Sequence, residues 1–251
     1  MSLPAPRLAF DLSGDPADES LVFLHGLAGD RSQLSELIRK LSGRYRILNI
    51  DLPGHGRSAL VQARSVAGLA QTTAPLVAGL LEGRVTIIGH SMGAAVGLEL
   101  AALLNGRVRQ IIALDALHQA VLYPRRSALT AFVMGAALAC AYRPGMTRLL
   151  SGLFVAQSPA DIRDQVIATA LATRPMVSAR LLASLARWDR DRALAATDAA
   201  VTVIAADAFA KPSEIARLQS RCRLVAFPLG GHFFPAEFPV ETAQAIEAVL
   251  R

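Results

Sequence analysis

VTIIGHSMGAA, Val85 to Ala95, is the stretch on which the reading of this sequence turns. Val85–Ile88 is a short unbroken apolar run, as a strand covered on both faces requires. Met92 onward reads as a helix to Asn105, with Gly106 to stop it. Between them Gly89, Ser91 and Gly93 form G-x-S-x-G, the pattern of a sharp strand-to-helix turn that lifts a serine hydroxyl above a sheet. Small residues flank the serine because a side chain at either glycine would collide with neighbouring backbone. The helix that follows brings unpaired N–H groups to the same point.

The same alternation extends in both directions. Leu21–Leu24, Tyr45–Ile50, Ile111–Leu114, Val201–Ile204 and Leu224–Phe227 have strand character. A helix is predicted after Asp30, with Leu34, Leu37, Ile38 and Leu41 at helical spacing. A second is predicted over Val66–Leu81, kinked or split by Pro75, and a last one over Val240–Leu250. Strands separated by helices imply right-handed crossovers in a mostly parallel sheet. From about Leu117 to Ala196 strand signals vanish and helical periods take over, punctuated by Pro124, Pro144, Pro159 and Pro175. The expected organisation is an α/β core of residues 1–116 and 197–251 with a helical cap inserted at 117–196.

Composition excludes several classes of protein. With 53% hydrophobic and 18% charged residues in 251, the chain is long and apolar enough for one large folded domain. The formal charge of +6 is almost all arginine, since only Lys40 and Lys211 are lysines. These arginines are scattered, and Arg125–Arg126 is the only adjacent pair, so they read as ordinary solvated surface, with attraction of acidic substrates or an anionic surface as the alternative, and no nucleic-acid partner is expected. Cys140 and Cys222 make no disulfide framework and fit small buried residues in a reducing, cytoplasmic setting. The first residues, MSLPAPRLAFDL, lack a secretory leader pattern. Ser127–Tyr142 is free of charge but shorter than the ~18–20 residues that span a bilayer, so it reads as a buried or cap helix, with interfacial contact as the minor alternative, and no stable membrane insertion is expected.

A serine hydroxyl needs a base. His25, His55 and His90 fall inside tight turns and His118 opens the helical insertion, whereas His232 in Gly230-Gly231-His232-Phe233 follows the last strand-like run. His232 is therefore the expected base for Ser91. A carboxylate must orient the imidazole, and in the order serine, acid, histidine it lies between positions 91 and 232. Asp207, directly after Val201–Ala206, is the first choice; Asp115, ending Ile111–Leu114, is the alternative. The N–H groups of Leu27 and Met92 are the expected oxyanion donors. No Cys/His cluster has metal-ligand spacing, so no metal or organic cofactor is expected.

With LVFLHGLAGD, NIDLPGHGRS, IIGHSMGAA, VTVIAAD and LGGHFFPAEFP in this order, the sequence resembles the α/β-hydrolase superfamily over nearly its whole length. The resemblance implies an eight-stranded, mostly parallel sheet flanked by helices, a cap lining the substrate cavity, and Ser91, His232 and Asp207 as nucleophile, base and acid. It departs from the family after Val201–Ile204, where AADAFAKP lacks the usual glycine and acidic pair; some relatives place the acid after the earlier strand, at Asp115.

The activity expected is that of a carboxylesterase-like serine hydrolase. It would cleave a small or medium ester, thioester or lactone through an acyl-serine. The partner would be a small molecule with an apolar acyl part, received by Leu129, Phe132, Val133, Met134, Leu138, Met146, Leu149, Leu150, Leu153 and Phe154. Two alternatives are a carbon–carbon bond hydrolase of aromatic degradation, whose acidic substrates suit Arg125, Arg126 and Arg143, and a ligand-binding fold relative with little turnover. Oligomeric state is not readable from the sequence.

Overall fold

The computed structural model describes residues 8–16, 19–58, 64–118, 127–210 and 212–251. Along the chain run β1 (Phe10–Ser13), β2 (Glu19–Leu24), α1 (Ser35–Leu41), β3 (Arg46–Ile50), α2 (Val66–Leu80), β4 (Arg84–His90), α3 (Met92–Leu103) and β5 (Val108–Leu114). Five helices follow: α4 (Ala128–Cys140), α5 (Tyr142–Ser151), α6 (Ala160–Ala172), α7 (Pro175–Arg187) and α8 (Arg190–Ala195). The chain then returns through β6 (Ala200–Ala206), α9 (Pro212–Gln219), β7 (Arg223–Phe227), α10 (Phe234–Glu237) and α11 (Pro239–Leu250).

The described strands form one seven-stranded sheet in the order β1-β3-β2-β4-β5-β6-β7. Eight strands were expected; seven are present among the described residues. Only β1 runs antiparallel, on β3, and its Phe10 and Asp11 are exposed at the sheet edge, which is why no apolar run announced it.

Period-two alternation sorts the strand residues onto two cores. Val22, Leu24, Ile87, Ile111 and Val203 point to the side covered by α2 and α3, with Leu69, Val77 and Val96 against them. Leu21, Phe23, Ile88, Ile112 and Ile204 point to the opposite side, where Leu37 and Leu41 of α1 and Ile246 of α11 close the layer. Both faces are buried, so the strands read as continuous apolar runs.

Ser65 caps α2 by accepting from the Gly68 amide. Pro75 neither splits nor ends this helix, which is continuous from Val66 to Leu80. Pro75 and Gln71 are both exposed, so the carbonyl left without its partner lies on the side where water replaces it.

A third core lies above the sheet. Leu138, Tyr142, Met146, Leu150, Val166 and Ala170 of the inserted helices pack around Ala28 and Phe233 from the sheet's loops. The Tyr142 hydroxyl donates to the Ala170 carbonyl at 2.7 Å, tying α5 to α6. Leu181, Leu185 and Trp188 join the core below, so the helical layer is continuous with the sheet's own packing.

The burial expected of Ser127–Tyr142 holds for one face only. Ala131, Gly135 and Leu138 of α4 are buried, while Leu129, Phe132 and Val133 are exposed. Cys140 lies on the outer side and is exposed, whereas Cys222 is buried as expected, and that burial pushes its thiol up to about 11. Among the described residues no single helix is long and apolar enough to cross a membrane.

Candidate active site

The sheet brings several chain segments to one edge. Leu24 pairs with Gly89, His90 with Leu114, and Leu114 with Ile204, so β2, β4, β5 and β6 all end together. The chain winds outward from β2 to β3, then crosses back to place β4 on the other side of β2. Such a reversal opens a crevice at the carboxyl ends of the two strands, the usual ligand position in open α/β sheets. Ser91 follows β4 at that crevice, and the loop His25-Gly26-Leu27 follows β2.

The turn at Ser91 is tight in every direction. Ser91 itself sits at φ +52°, in the left-handed region that ordinary residues avoid. A Cβ on Gly89 would come within 2.4 Å of the Ala94 nitrogen, and one on Gly93 within 2.1 Å of the Leu24 carbonyl oxygen. Only glycine lets α3 start this close to β2. Gly26 faces the same point less tightly: its Cβ would lie 3.2 Å from His90 Nδ1 and 3.3 Å from the Ser91 Cβ, so a side chain there would crowd the serine.

His232 arrives from the far end of the chain and is buried. Its Nδ1 lies 2.6 Å from Oδ2 of Asp115 and donates to it. In the neutral ring this leaves the lone pair on Nε2. Three anchors fix the histidine's backbone. The His232 amide donates to the Leu153 carbonyl at 2.9 Å, and the His90 Nε2–H donates to the His232 carbonyl at 2.8 Å. The preceding Gly231 amide donates to the buried carboxylate of Glu237 at 3.1 Å, which also accepts from Ser158.

Asp115 turns inward at φ +43° and is completely buried. Its Oδ1 accepts from the Ala206 amide at 2.8 Å. Behind it lies a second buried imidazole, His118, whose Nδ1 donates to the Ala116 carbonyl and whose Nε2 is 3.4 Å from Oδ1 of Asp115.

The structure brings just one of the two candidate carboxylates to His232. Asp207 opens an exposed one-turn helix after β6, and it is Asp115 that pairs with His232. The end of β6 supplies Asp115 with an amide donor instead of supplying the acid. Leu27 lines the same cavity as Ser91, and Met92 opens α3 directly after it.

His25, His55 and His90 are held neutral. His25 donates from Nδ1 to the Gly26 carbonyl and accepts the Leu52 amide at Nε2. Burial lowers it to about 4. Burial also lowers His55 and His90 to about 3, with the neighbouring imidazoles of His25 and His232 adding to the respective shifts. The glycine-rich loop around His55 is architectural: buried Asp51 gathers the Arg31 amide and guanidinium and the Arg57 amide.

Ser91, His232, His90, Gly26 and Leu27 form the floor of a cavity of about 170 Å³. Its walls and roof are Met134, Met146, Leu149, Leu150, Leu153, Leu182, Leu185, Ala186 and Phe233. Of the apolar residues expected there, Met134, Met146, Leu149, Leu150 and Leu153 are present. Leu129, Phe132 and Val133 face outward, Leu138 packs within the helical layer, and Phe154 stacks on Phe233 at 4.8 Å. Arg143 is exposed elsewhere, and Arg125 and Arg126 lie outside the described residues.

Residues 21–245 match the sequence model of the alpha/beta hydrolase family. The chain belongs to that family. Among its relatives, the dihydrolipoyllysine-residue acetyltransferase component of the acetoin cleaving system of Pseudomonas putida is 29% identical, covering 99% of this chain and 70% of that protein. Esterase YbfF of Escherichia coli (strain K12) is 30% identical over 95 residues, 38% of this chain. The match spans only 37% of the length of that esterase. Among solved structures, a thermophilic esterase from Thermogutta terrifontis superposes with a TM-score of 0.84 at 22% identity, covering 98% of this chain and 93% of the other. As a member of the alpha/beta hydrolase family, the chain has its fold established by both comparisons.

Two site features had no sequence signal strong enough to find them. Glu237 lies in LGGHFFPAEFP, where nothing sets it apart from an ordinary surface carboxylate, and His118 merely opens the helical insertion. Only the fold shows that one holds the His232 loop and the other sits behind Asp115.

Proposed function

We propose that this alpha/beta hydrolase is a serine hydrolase that cleaves a small or medium ester, thioester or lactone with an uncharged, apolar acyl part. The observation that carries this reading is the 2.6 Å pairing of His232 with buried Asp115, beside an elbow serine at the floor of an apolar cavity.

In this reading Nε2 of His232 takes the proton of Ser91 as Oγ bonds to the acyl carbon. Asp115 orients the ring and stabilises the imidazolium that forms. The amides of Leu27 and Met92 receive the oxyanion, each such donor contributing about 3 kcal/mol to the transition state. The imidazolium then protonates the leaving alkoxide or thiolate. Water, deprotonated by the same nitrogen, attacks the acyl-serine and releases the acid. A lactone leaves as one hydroxy acid, since both halves stay joined.

Residues 117–196 act as a cap: α4, α5 and α7 supply the apolar walls that exclude water and select the acyl chain. Among the described residues no arginine lines the cavity, which supports a neutral acyl group over the acidic substrates of a carbon–carbon bond hydrolase. Hydrolysis of p-nitrophenyl esters of graded acyl length tests the proposal, with Ser91→Ala as the control that abolishes turnover. Turnover of a vinylogous diketone acid with no ester cleavage would overturn it.

A further inference from the structure

Helix α4 carries no charge and a single polar side chain, Thr130, yet the protein covers only one of its faces. Leu129 (72% exposed), Phe132 (70%) and Val133 (55%) form an outward stripe, continued by exposed Ala136, Ala137 and Cys140. These positions follow the i, i+3, i+4, i+7 spacing of a single helix face. Beside the stripe, bounded by α4, α7, α8 and the start of α2, lies an open groove of about 490 Å³ that Phe132 also lines. Four arginines line it, Arg64, Arg180, Arg187 and Arg192, against one carboxylate, Glu99. Glu99 is engaged by Arg192 at 2.6 Å and by the Trp188 indole at 2.8 Å. Arg64, Arg180 and Arg187 are exposed and have no carboxylate partner among the described residues.

We infer that this face docks on an anionic lipid surface, with the stripe of α4 in the headgroup boundary and the three arginines on lipid phosphates. The pairing of an apolar helix face with flanking arginines is the composition that binds such interfaces. At 13 residues α4 is about 20 Å long, too short to span a bilayer and suited to lie along one. A second copy of the chain fits the face poorly. A two-fold contact whose axis passes through the groove would bring Arg64, Arg180 and Arg187 of one protomer close to the same cations of its partner, whereas lipid phosphates neutralise them. The inference rests on surface chemistry alone and stands apart from the reading of Ser91. The two helices concerned also roof the cavity, through Met134 on α4 and Leu182, Leu185 and Ala186 on α7.

Vesicle flotation of the purified chain tests this, using phosphatidylcholine alone and phosphatidylcholine mixed with phosphatidylglycerol. The expected result is flotation with the anionic vesicles only, weakened by salt. Leu129→Ser/Phe132→Ser should remove it. Arg180→Glu and Arg187→Glu should each lower the partition by at least about fivefold. All four side chains are exposed, and unchanged circular dichroism and thermal unfolding confirm that the variants fold. Absence of flotation with anionic vesicles overturns the proposal, as does equal binding to both vesicle types that the arginine substitutions leave unmoved. A concentration-dependent dimer in light scattering, abolished by Leu129→Ser/Phe132→Ser and accompanied by no flotation, overturns it in favour of a contact between copies.

Discussion

Nδ1 of His232 and Oδ2 of Asp115 are 2.6 Å apart although 117 residues separate them in the chain. The contact depends on two strand ends at once, because β5 delivers Asp115 and the amide of Ala206 at the end of β6 holds its other oxygen. Asp207, one residue beyond that amide, faces solvent. Asp115→Asn is therefore expected to lower kcat by about 10⁴-fold while the fold survives, since an amide stabilises the wrong tautomer. Asp207→Asn is expected to stay within about twofold of the parent, as for other surface substitutions. Steady-state kinetics of the two variants on one ester decides between them.

Glycines in this chain divide by what surrounds them. Gly93→Ala would drive a Cβ to 2.1 Å from the Leu24 carbonyl, which is backbone and has no room to retreat. Loss of folded, soluble protein is the expected result. Gly79, near the end of α2, faces open space: a methyl group there would meet nothing within 4 Å, and Gly79→Ala should stabilise by roughly 0.5–1 kcal/mol. Soluble yield of Gly93→Ala and urea unfolding of Gly79→Ala check the two outcomes.

The cavity predicts an acyl preference. For a series of linear esters, each buried methylene should raise kcat/KM by about fourfold until the cavity is full, from ~0.8 kcal/mol per methylene. Leu182→Phe, which places more volume in the roof, should move the optimum to shorter chains. A preference for carboxylate-bearing esters would contradict the apolar lining.

Stability should fall with acidification. His25, His55 and His90 are buried and lowered to about 4, 3 and 3, whereas unfolded histidine titrates near 6.5. Between these values the unfolded chain binds protons that the folded chain refuses, so folding free energy is lost as pH drops below about 6.5. Each fully refused proton costs about 1.4 kcal/mol per pH unit. Urea midpoints measured at pH 7 and pH 5 should decrease; a flat or rising profile would contradict the neutral, buried assignment.

Much of this architecture was readable from local pattern. Buried parallel strands such as Leu21–Leu24 and Val85–Ile88 are continuous apolar runs, and Gly89, Ser91 and Gly93 mark their turn by steric need. β1 escaped notice because an edge strand with exposed Phe10 and Asp11 has no such run. Which carboxylate pairs with His232 was not readable, because Asp115 and Asp207 both directly follow strands. What separates them is the inward turn of Asp115 at φ +43° and the donor waiting across the sheet, both tertiary facts. The outward face of α4 was at most a minor alternative in the sequence, since its residues are almost all apolar and composition alone does not say which side is covered.

Intact and peptide mass spectrometry after treatment with a fluorophosphonate probes the nucleophile and its base together. A single adduct on Ser91 is predicted in the parent, and none in His232→Ala, whose serine lacks its base. An unreactive parent, or an adduct on Ser91 that forms as fast in His232→Ala, would contradict the assignment of these two residues.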